Sequence, residues 1–446
     1  MRRLMPGMAF VSLAVLVSPA AWAAVYVDAD NAKGPWDGRG WATAYRTVQE
    51  AIDDAAKTGS EVWVAEGTYK PTSGADRTAS IQLKPGVSLY GGFGGSEADR
   101  AQRDWKKHVT ILSGDVGKPG DDSDNSYHVV KGSENATIDG FTITAGSARP
   151  GEERRRQVAA KRAALLREYE QNTGSRGRPG GGPPGGAGGG PGNLMPRVIP
   201  GYRDIWSDWF GGGMYNFECS PTVANCTFSG NAAARYGGGM YNSYGASPAV
   251  SGCTFSKNSA AEGGGMYSYD DCLPKVADCT FAGNSANKGG GMVNRDGSHS
   301  TVTGCTFTGN YARWRGGGIF NDYGSSPKLS RCGFVRNRTD GDGGGVYTDD
   351  NASQIGATSP RVSECVFTGN AAKFRGGGMA NYNKCSPTVI DCRFEGNSAD
   401  KGGGAMSNHF RVLVHVARCS FEGNISQQGK ADTDTDGTSR VTSKSP

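Results

Sequence analysis

Two short motifs alternate through the second half of the chain at a fixed interval, and this repeat limits the fold more than any other feature. Glycine triplets begin at Gly211, Gly237, Gly263, Gly289, Gly316, Gly343, Gly376 and Gly402. A Cys-x-Phe motif answers each, at Cys226, Cys253, Cys279, Cys305, Cys332, Cys365, Cys392 and Cys419. The interval is 26 or 27 residues, with one step of 33 that coincides with an insertion around Asn351 to Thr358. A full unit reads GGGMYN, a short polar loop, SPTVANCTFSGN and a turn.

The units have no helical period. Cys226 and Phe228 lie two apart and share one strand face, as do Cys253 and Phe255. Val223 and Val250 mark a second short strand. Three short strands per unit, parted by Gly, Asn and Ser turns, form the pattern of a right-handed parallel β-helix, an all-β solenoid. Successive coils stack at about 4.8 Å. Like residues then form ladders, and stacking supplies the core that one coil cannot bury alone. A leucine-rich solenoid needs a leucine framework that is absent.

Composition narrows the choice further. Glycine supplies 71 of 446 residues without recurring every third position, which excludes collagen. Hydrophobic residues at 36% and charged residues at 20% exclude both a fully disordered chain and a membrane helix bundle. A formal charge of +5 argues against a nucleic-acid partner.

Two columns of the repeat read as structural. Asn231, Asn258, Asn284, Asn310, Asn337, Asn370, Asn397 and Asn424 stand at a repeated turn, where amides bond one another and the backbone. The eight ladder cysteines have Cβ atoms about 4.8 Å apart, wider than the ~3.8 Å of a disulfide. They read as buried thiols. Cys219, Cys272 and Cys385 each lie seven residues before a ladder cysteine, which leaves a disulfide within the coil open. No Cys pair has zinc spacing.

The rest of the chain divides by texture. Residues 1–23 read as a secretory signal: Arg2 and Arg3, then a short apolar run, then Ala21-Trp22-Ala23 as the cleavage site. No later segment is apolar enough for a spanning helix, so an exported protein starting near Ala24 is expected. Residues 24–144 carry a capping box at Thr47 to Glu50, and Val48, Ile52 and Ala55 make one helix face that caps the open core. Strand-like runs follow at Val62 to Ala65, Ile81 to Leu83, Val87 to Tyr90, Val109 to Leu112, Tyr127 to Val130 and Ala136 to Thr144. Residues 145–210 read as an insertion. It comprises a protruding helix from Glu152 to Tyr169, a Gly/Pro linker from Arg176 to Asn193, and an aromatic run with Trp206, Trp209 and Phe210. It is either a flexible surface element or a lid or partner-binding arm. Residues 211–425 hold the eight regular coils, and 426–446 read as a disordered tail.

The opening VYVDAD…GRGWATAYRTVQEAIDDA…VWVAEGTYKPT…SLYGGFGGSE…ILSGD resembles the N-terminal segment of bacterial right-handed parallel β-helix proteins of the pectin-lyase-like superfamily. The GGGMYN…SPTVxxCTFxGNxA units resemble the repeats of polymorphic outer membrane proteins. The resemblance covers nearly all of Val25 to Asn424 apart from the insertion. It implies the β-helix fold and a surface or extracellular setting. It implies no single activity, because the superfamily mixes polysaccharide lyases, hydrolases and non-catalytic surface proteins. The autotransporter barrel of the polymorphic proteins has no counterpart here.

Chemistry on such a solenoid is expected on its outer face, where side chains of neighbouring coils align. Tyr215, Tyr241, Tyr267, Phe320 and Tyr347 form an aromatic column; pointing outward, it would offer flat faces to sugars, and otherwise it packs ring on ring. Glu218, Asp270, Asp296 and Asp350, with Asp271, Asp322 and Asp349 beside them, form an acidic loop column that would suit Ca²⁺, with Asp270, Asp296 and Asp350 as the candidate ligands, or simply be solvated. Lys288, Arg313, Arg315, Lys373, Arg375 and Lys401 stand in the turn before each triplet, interleaved with Trp314 and Phe374. Such interleaving suits an acidic glycan. Arg315, Arg375 and Lys288 are the candidates for the cation and base of β-elimination. His299, His409 and His415 are scattered and read as surface residues. The first expectation is a non-catalytic protein that binds an acidic or neutral polysaccharide, or the cell-envelope surface. A polysaccharide lyase acting on a uronate glycan and a purely structural envelope protein are the alternatives.

Overall fold

Each unit contributes one strand to each of three long sheets. In the unit from Gly211, Met214–Phe217, Thr222–Ala224 and Thr227–Ser229 pair in register with Met240–Ser243, Ala249–Ser251 and Thr254–Ser256 of the next. We name the sheets by their inward column. The valine sheet has thirteen strands, the methionine sheet eleven and the phenylalanine sheet eleven. A six-stranded ledge runs beside the methionine sheet, from Ser285–Lys288 to Ile425–Ser426. The computed structural model describes residues 24–173, 204–350, 357–428 and 430–442. Within them the chain winds as a parallel β-helix, and every strand pairing is parallel. The expected signal at 1–23, the Arg176 to Asn193 linker and the core of the Asn351 insertion lie outside those residues.

The corners explain the repeated small and polar residues. Asn225, Gly230 and Gly211 hold φ of 50°, 66° and 62°, the left-handed region that glycine and short polar residues reach at least cost. The second glycine of a triplet has a different reason. A Cβ on Gly238 would lie 2.5 Å from the Ser259 carbonyl oxygen and 2.6 Å from that of Gly264. Coil stacking therefore leaves no room for a side chain there. The last unit is offset by one. Met379 pairs with Met406, so Gly403, Gly404 and Ala405 occupy the triplet position rather than a run from Gly402.

Inside the coils the ladders form as expected. Successive phenylalanine rings from Phe228 to Phe421 stack with centroids 4.6 to 5.2 Å apart. Burying each such ring contributes about 2 kcal/mol. The backbone N–H groups of Cys226, Cys253, Cys279, Cys332 and Cys392 each donate to the next coil's Sγ at 3.4 Å. All eleven cysteines are free thiols, including Cys219, Cys272 and Cys385. Burial pushes the Cys219 thiol up to about 11 and the Cys272 thiol up to about 12.

Helix α1 (Val48–Thr58) caps the N-terminal end. The Thr47 hydroxyl accepts from the Glu50 amide, and Val48, Ala51, Ile52 and Ala55 enter the core. The Ala136 to Thr144 run is two strands, bent at Gly140 with φ 85°. Two expectations are corrected. Helix α2 (Glu152–Thr173) does not simply protrude: Val158 and Leu165 pack with Trp206 and Trp209, and Arg154 pairs with Asp208 at 2.6 Å. The chain after 426 is not a plain tail. Thr433–Thr435 and Arg440–Thr442 add strands to the methionine and valine sheets. His409 is accordingly half-buried, 3.2 Å from Asp434. Among the described residues no helix is long and apolar enough to cross a membrane.

Candidate functional site

Strand alternation sets what the methionine sheet shows outside. Its first and third residues point into the core, and its second and fourth point out. The second position carries Tyr215, Tyr241, Tyr267, Val293, Phe320, Tyr347 and Ala380. These rings do face outward, but they are not open to solvent, and the expectation of an exposed sugar stripe there is corrected. Phe210 stacks on Tyr241 at 4.9 Å, and Tyr236 on Tyr267 at 4.5 Å. Val158 of α2 joins the same cluster. Further along, Lys288 Nζ lies 5.3 Å from the Phe320 ring and the Arg315 guanidinium 4.9 Å from Tyr347. The four tyrosines are buried packing residues: aromatic rings lie against Tyr215, Tyr241 and Tyr267, and the Arg315 cation lies over Tyr347.

The fourth position changes character along the solenoid: Phe217, Ser243, Tyr269, Arg295, Asp322, Asp349, Tyr382, His409. Its middle is a run of charges. Glu262 bridges Lys288 and Arg295, each at 3.1 Å. Asp322 and Asp349 close neighbouring strands whose preceding residues, Asn321 and Thr348, pair in register. Asp349 is 1% exposed and holds Arg315 at 3.1 Å, the Tyr347 hydroxyl at 2.9 Å and Asn383 Nδ2 at 2.7 Å. Asp322 is 3% exposed. Burial, with Asp349 beside it, pushes its carboxyl up to about 7. Burial also raises Asp342, which accepts from the Tyr382 hydroxyl at 3.2 Å and the Arg375 amide at 3.0 Å.

The predicted catalytic cations therefore sit at the edge of this column. Lys288 and Arg315 are committed to ion pairs, and Arg315, 41% exposed on its side chain, lies between Asp349 and solvent. Arg375 stands half-buried one coil beyond Asp342. Sequence reasoning placed Asp322 and Asp349 beside the loop acids and missed them as a pair. It missed Glu262, Arg295 and Asp342 altogether. The signal was a column that stops repeating.

Of the expected calcium ligands, Asp270 and Asp296 occupy left-handed corners, with φ 61° and 57°. That conformation alone favours Asp there. Asp350 lies 3.5 Å from the Thr358 hydroxyl. Among the described residues no group of three or more His, Cys, Asp or Glu is arranged to hold a metal ion.

The ledge is open. Trp314 is 50% exposed and Phe374 42%. Arg315 bridges to Asp342, and the Phe374 amide donates to the Gly341 carbonyl at 3.0 Å. Trp314, Gly341, Phe374 and Lys401 thus occupy one column of four successive coils. Arg313, Asp340 and Lys373 form the column beside it. Lys373 pairs with Asp340 at 2.8 Å, and the Tyr311 hydroxyl donates to Asp340 at 2.6 Å. Lys401 Nζ lies 4.4 Å from the centre of the Phe374 ring. The predicted binding residues Trp314, Phe374, Arg313 and Lys373 are therefore together and exposed, whereas Tyr215, Tyr241, Tyr267 and Tyr347 are apart and covered.

The family model described as a right-handed beta helix region matches residues 206–307 and 284–425. A second model, described as a protein of unknown function (DUF1565), matches residues 31–174. No curated protein matches the sequence. Among solved structures, the chain is similar to the Agl-KA catalytic domain, at 10% identity and TM-score 0.41, covering 96% of this chain and 69% of that one. It is similar to tailspike protein gp49 of Acinetobacter baumannii bacteriophage Fri1, a capsular polysaccharide depolymerase, at 13% identity and TM-score 0.34, covering 94% and 62%. It is also similar to the Streptococcus pneumoniae surface protein and adhesin PfbA, at 11% identity and TM-score 0.38, covering 87% and 95%. Likeness this distant says nothing of chemistry. With the sheet topology and the family matches together, the chain is a right-handed parallel β-helix protein.

Proposed function

We propose that the protein binds a polysaccharide on the ledge beside the methionine sheet, as an exported surface or extracellular protein. The supporting observation is the exposed pair Trp314 and Phe374, set among Arg313, Lys373 and Lys401. Solvent-exposed rings are costly unless something covers them, and sugar rings present C–H faces that suit them. Around those rings Arg313, Lys373 and Lys401 stand against two carboxylates, Asp340 and Asp400, a small positive excess that suits a glycan bearing acidic groups. Affinity electrophoresis through gels containing neutral and uronate polysaccharides tests the reading. Retardation in at least one gel, lost in Trp314→Ala and Phe374→Ala, is expected. Equal migration of the wild type in every gel overturns it.

A second reading adds cleavage, and Asp322 favours it. A carboxyl that keeps its proton near neutrality, one coil from a carboxylate held by Arg315, has the make-up of a general acid and its partner. Displacement of the Arg315 side chain by the glycan would open Asp349. This reading expects new reducing ends in wild type and none in Asp322→Asn or Asp349→Asn. Unsaturated-product absorbance would instead favour β-elimination with Arg315, Arg375 or Lys288. Absence of both products from every bound polymer leaves a binding protein.

A further inference from the structure

The column Trp314, Gly341, Phe374, Lys401 has a gap at its second place, and the gap is enforced. A Cβ at Gly341 would run into the Trp314 carbonyl oxygen, so no side chain fits between the two rings. Two coil steps separate them, about 9.6 Å. Carbon contact on both faces of a puckered six-membered ring, its carbon layers about 0.5 Å apart, sets two aromatic planes about 8 Å apart, so the two side chains lean toward each other by about 1.6 Å in all to close on it. Orientation follows from Lys401. Its ammonium sits over one Phe374 face from the next coil along, so that face is turned along the solenoid axis. The opposite face looks back over Gly341 toward Trp314.

We propose that the space over Gly341 is a clamp for one pyranose ring, with Phe374 and Trp314 on its two faces and Asp340 and Lys373 on its edge hydroxyls. The proposal rests on the polysaccharide-binding reading and deepens it. It fixes direction: the ring plane lies across the solenoid axis, so the glycan crosses the ledge rather than tracking its length. It also fixes configuration. A ring covered on both faces must present C–H on both faces. A gluco-configured ring does so, because its hydroxyls are all equatorial. A galacto- or manno-configured ring has an axial hydroxyl that would be buried against one aromatic face without a partner. Asp340, held 2.8 Å from Lys373 and 2.6 Å from the Tyr311 hydroxyl, is a fixed acceptor beside a fixed donor at the ring edge.

Calorimetric titration of the full chain with cellohexaose, hexaglucuronate, mannohexaose and hexagalacturonate tests this, combined with a double-mutant cycle. Tighter binding of the two gluco-configured oligomers is expected, by about tenfold or more over the others. Trp314→Ala and Phe374→Ala should each weaken it about tenfold, and the double variant by little more than either, because one ring is held by both. Both side chains are exposed, so the variants keep the fold. Additive losses of about a hundredfold, or equal binding of the galacto- or manno-configured oligomers, overturn the clamp and leave polysaccharide binding intact. Retention of no polysaccharide at all removes both.

Discussion

Asn258 Oδ1 accepts two hydrogen bonds from Asn231, one from the backbone N–H at 3.0 Å and one from the side-chain amide at 3.2 Å. The same pair of bonds repeats at every coil down to Asn424. From Asn258 onward each side-chain amide also reaches back to a phenylalanine carbonyl, as Asn310 does to Phe281 at 2.9 Å, and Asn231 reaches the Ile143 carbonyl at 2.8 Å. The column thus ties three successive coils at one turn and satisfies groups that are fully buried.

Removing one rung strands several of them. Asn310→Ala would remove the acceptor of the Asn284 backbone N–H, the donor to the Phe281 carbonyl and one of the two acceptors of the Asn284 side-chain amide, which keeps the Phe255 carbonyl at 2.9 Å. Each orphaned buried group costs about 1–3 kcal/mol. A loss of about 3 kcal/mol or more is expected by chemical denaturation, against about 1 kcal/mol for Asn424→Ala at the more open end. Equal losses at the two positions would show that the ladder does not carry that weight.

A second polar column, on the inward third position of the methionine sheet, is broken. Asn294 donates to Asn321 at 2.9 Å and Asn381 to Asn408 at 2.8 Å. Thr348 lies between, paired in register with both neighbours. Asn321 Nδ2, Thr348 Oγ1 and Asn381 Oδ1 are buried without protein partners. Thr348→Asn has about the same volume and would supply an acceptor to one neighbour and a donor to the other. A gain of about 1 kcal/mol is expected in the same assay. No gain would mean that a buried water already bridges the break.

The thiol ladder makes a reactivity prediction. Ten of the eleven cysteines are buried, and Cys419 at the C-terminal end is partly open. Under native conditions alkylation followed by peptide mapping should mark Cys419 first and the interior rungs only on unfolding. Labelling of Cys305 at the rate of Cys419 would contradict the packing.

The repeat made the solenoid legible because stacked coils demand the same residue at the same place. The Cys, Phe and Asn columns could be read for that reason. The tyrosines could not be placed from the same logic. Their outward direction follows from alternation, but their burial depends on Phe210, Tyr236 and helix α2, which come from outside the regular unit. The strands after 426 escaped notice because Thr433–Thr435 and Arg440–Thr442 are polar and pair at the end of the stack. The charged column was hidden for the opposite reason to the ladders. Arg295, Asp322 and Asp349 occupy equivalent positions with unlike residues, so a search for recurrence passes over them. Trp314 and Phe374 were found from interleaved charge and aromaticity, but the role of Gly341 appears only when the coils are in register.

Asp322 carries a prediction about pH. Its carboxyl titrates near 4 in the unfolded chain and is pushed up to about 7 in the fold, by burial and by Asp349. Between those values the folded state holds a proton that the unfolded state has lost. Stability therefore falls as pH rises from about 4 to about 7, then levels off. Asp322→Asn keeps an oxygen for the Tyr323 amide, which donates to Asp322 Oδ1 at 2.8 Å, and has no proton to lose. The variant should match wild type near pH 4 and exceed it at pH 8, by at most about 4 kcal/mol. Denaturation midpoints measured across that range decide the matter: parallel curves for the two proteins would mean that Asp322 is ionised in the fold, and would remove the general acid from the cleavage reading as well.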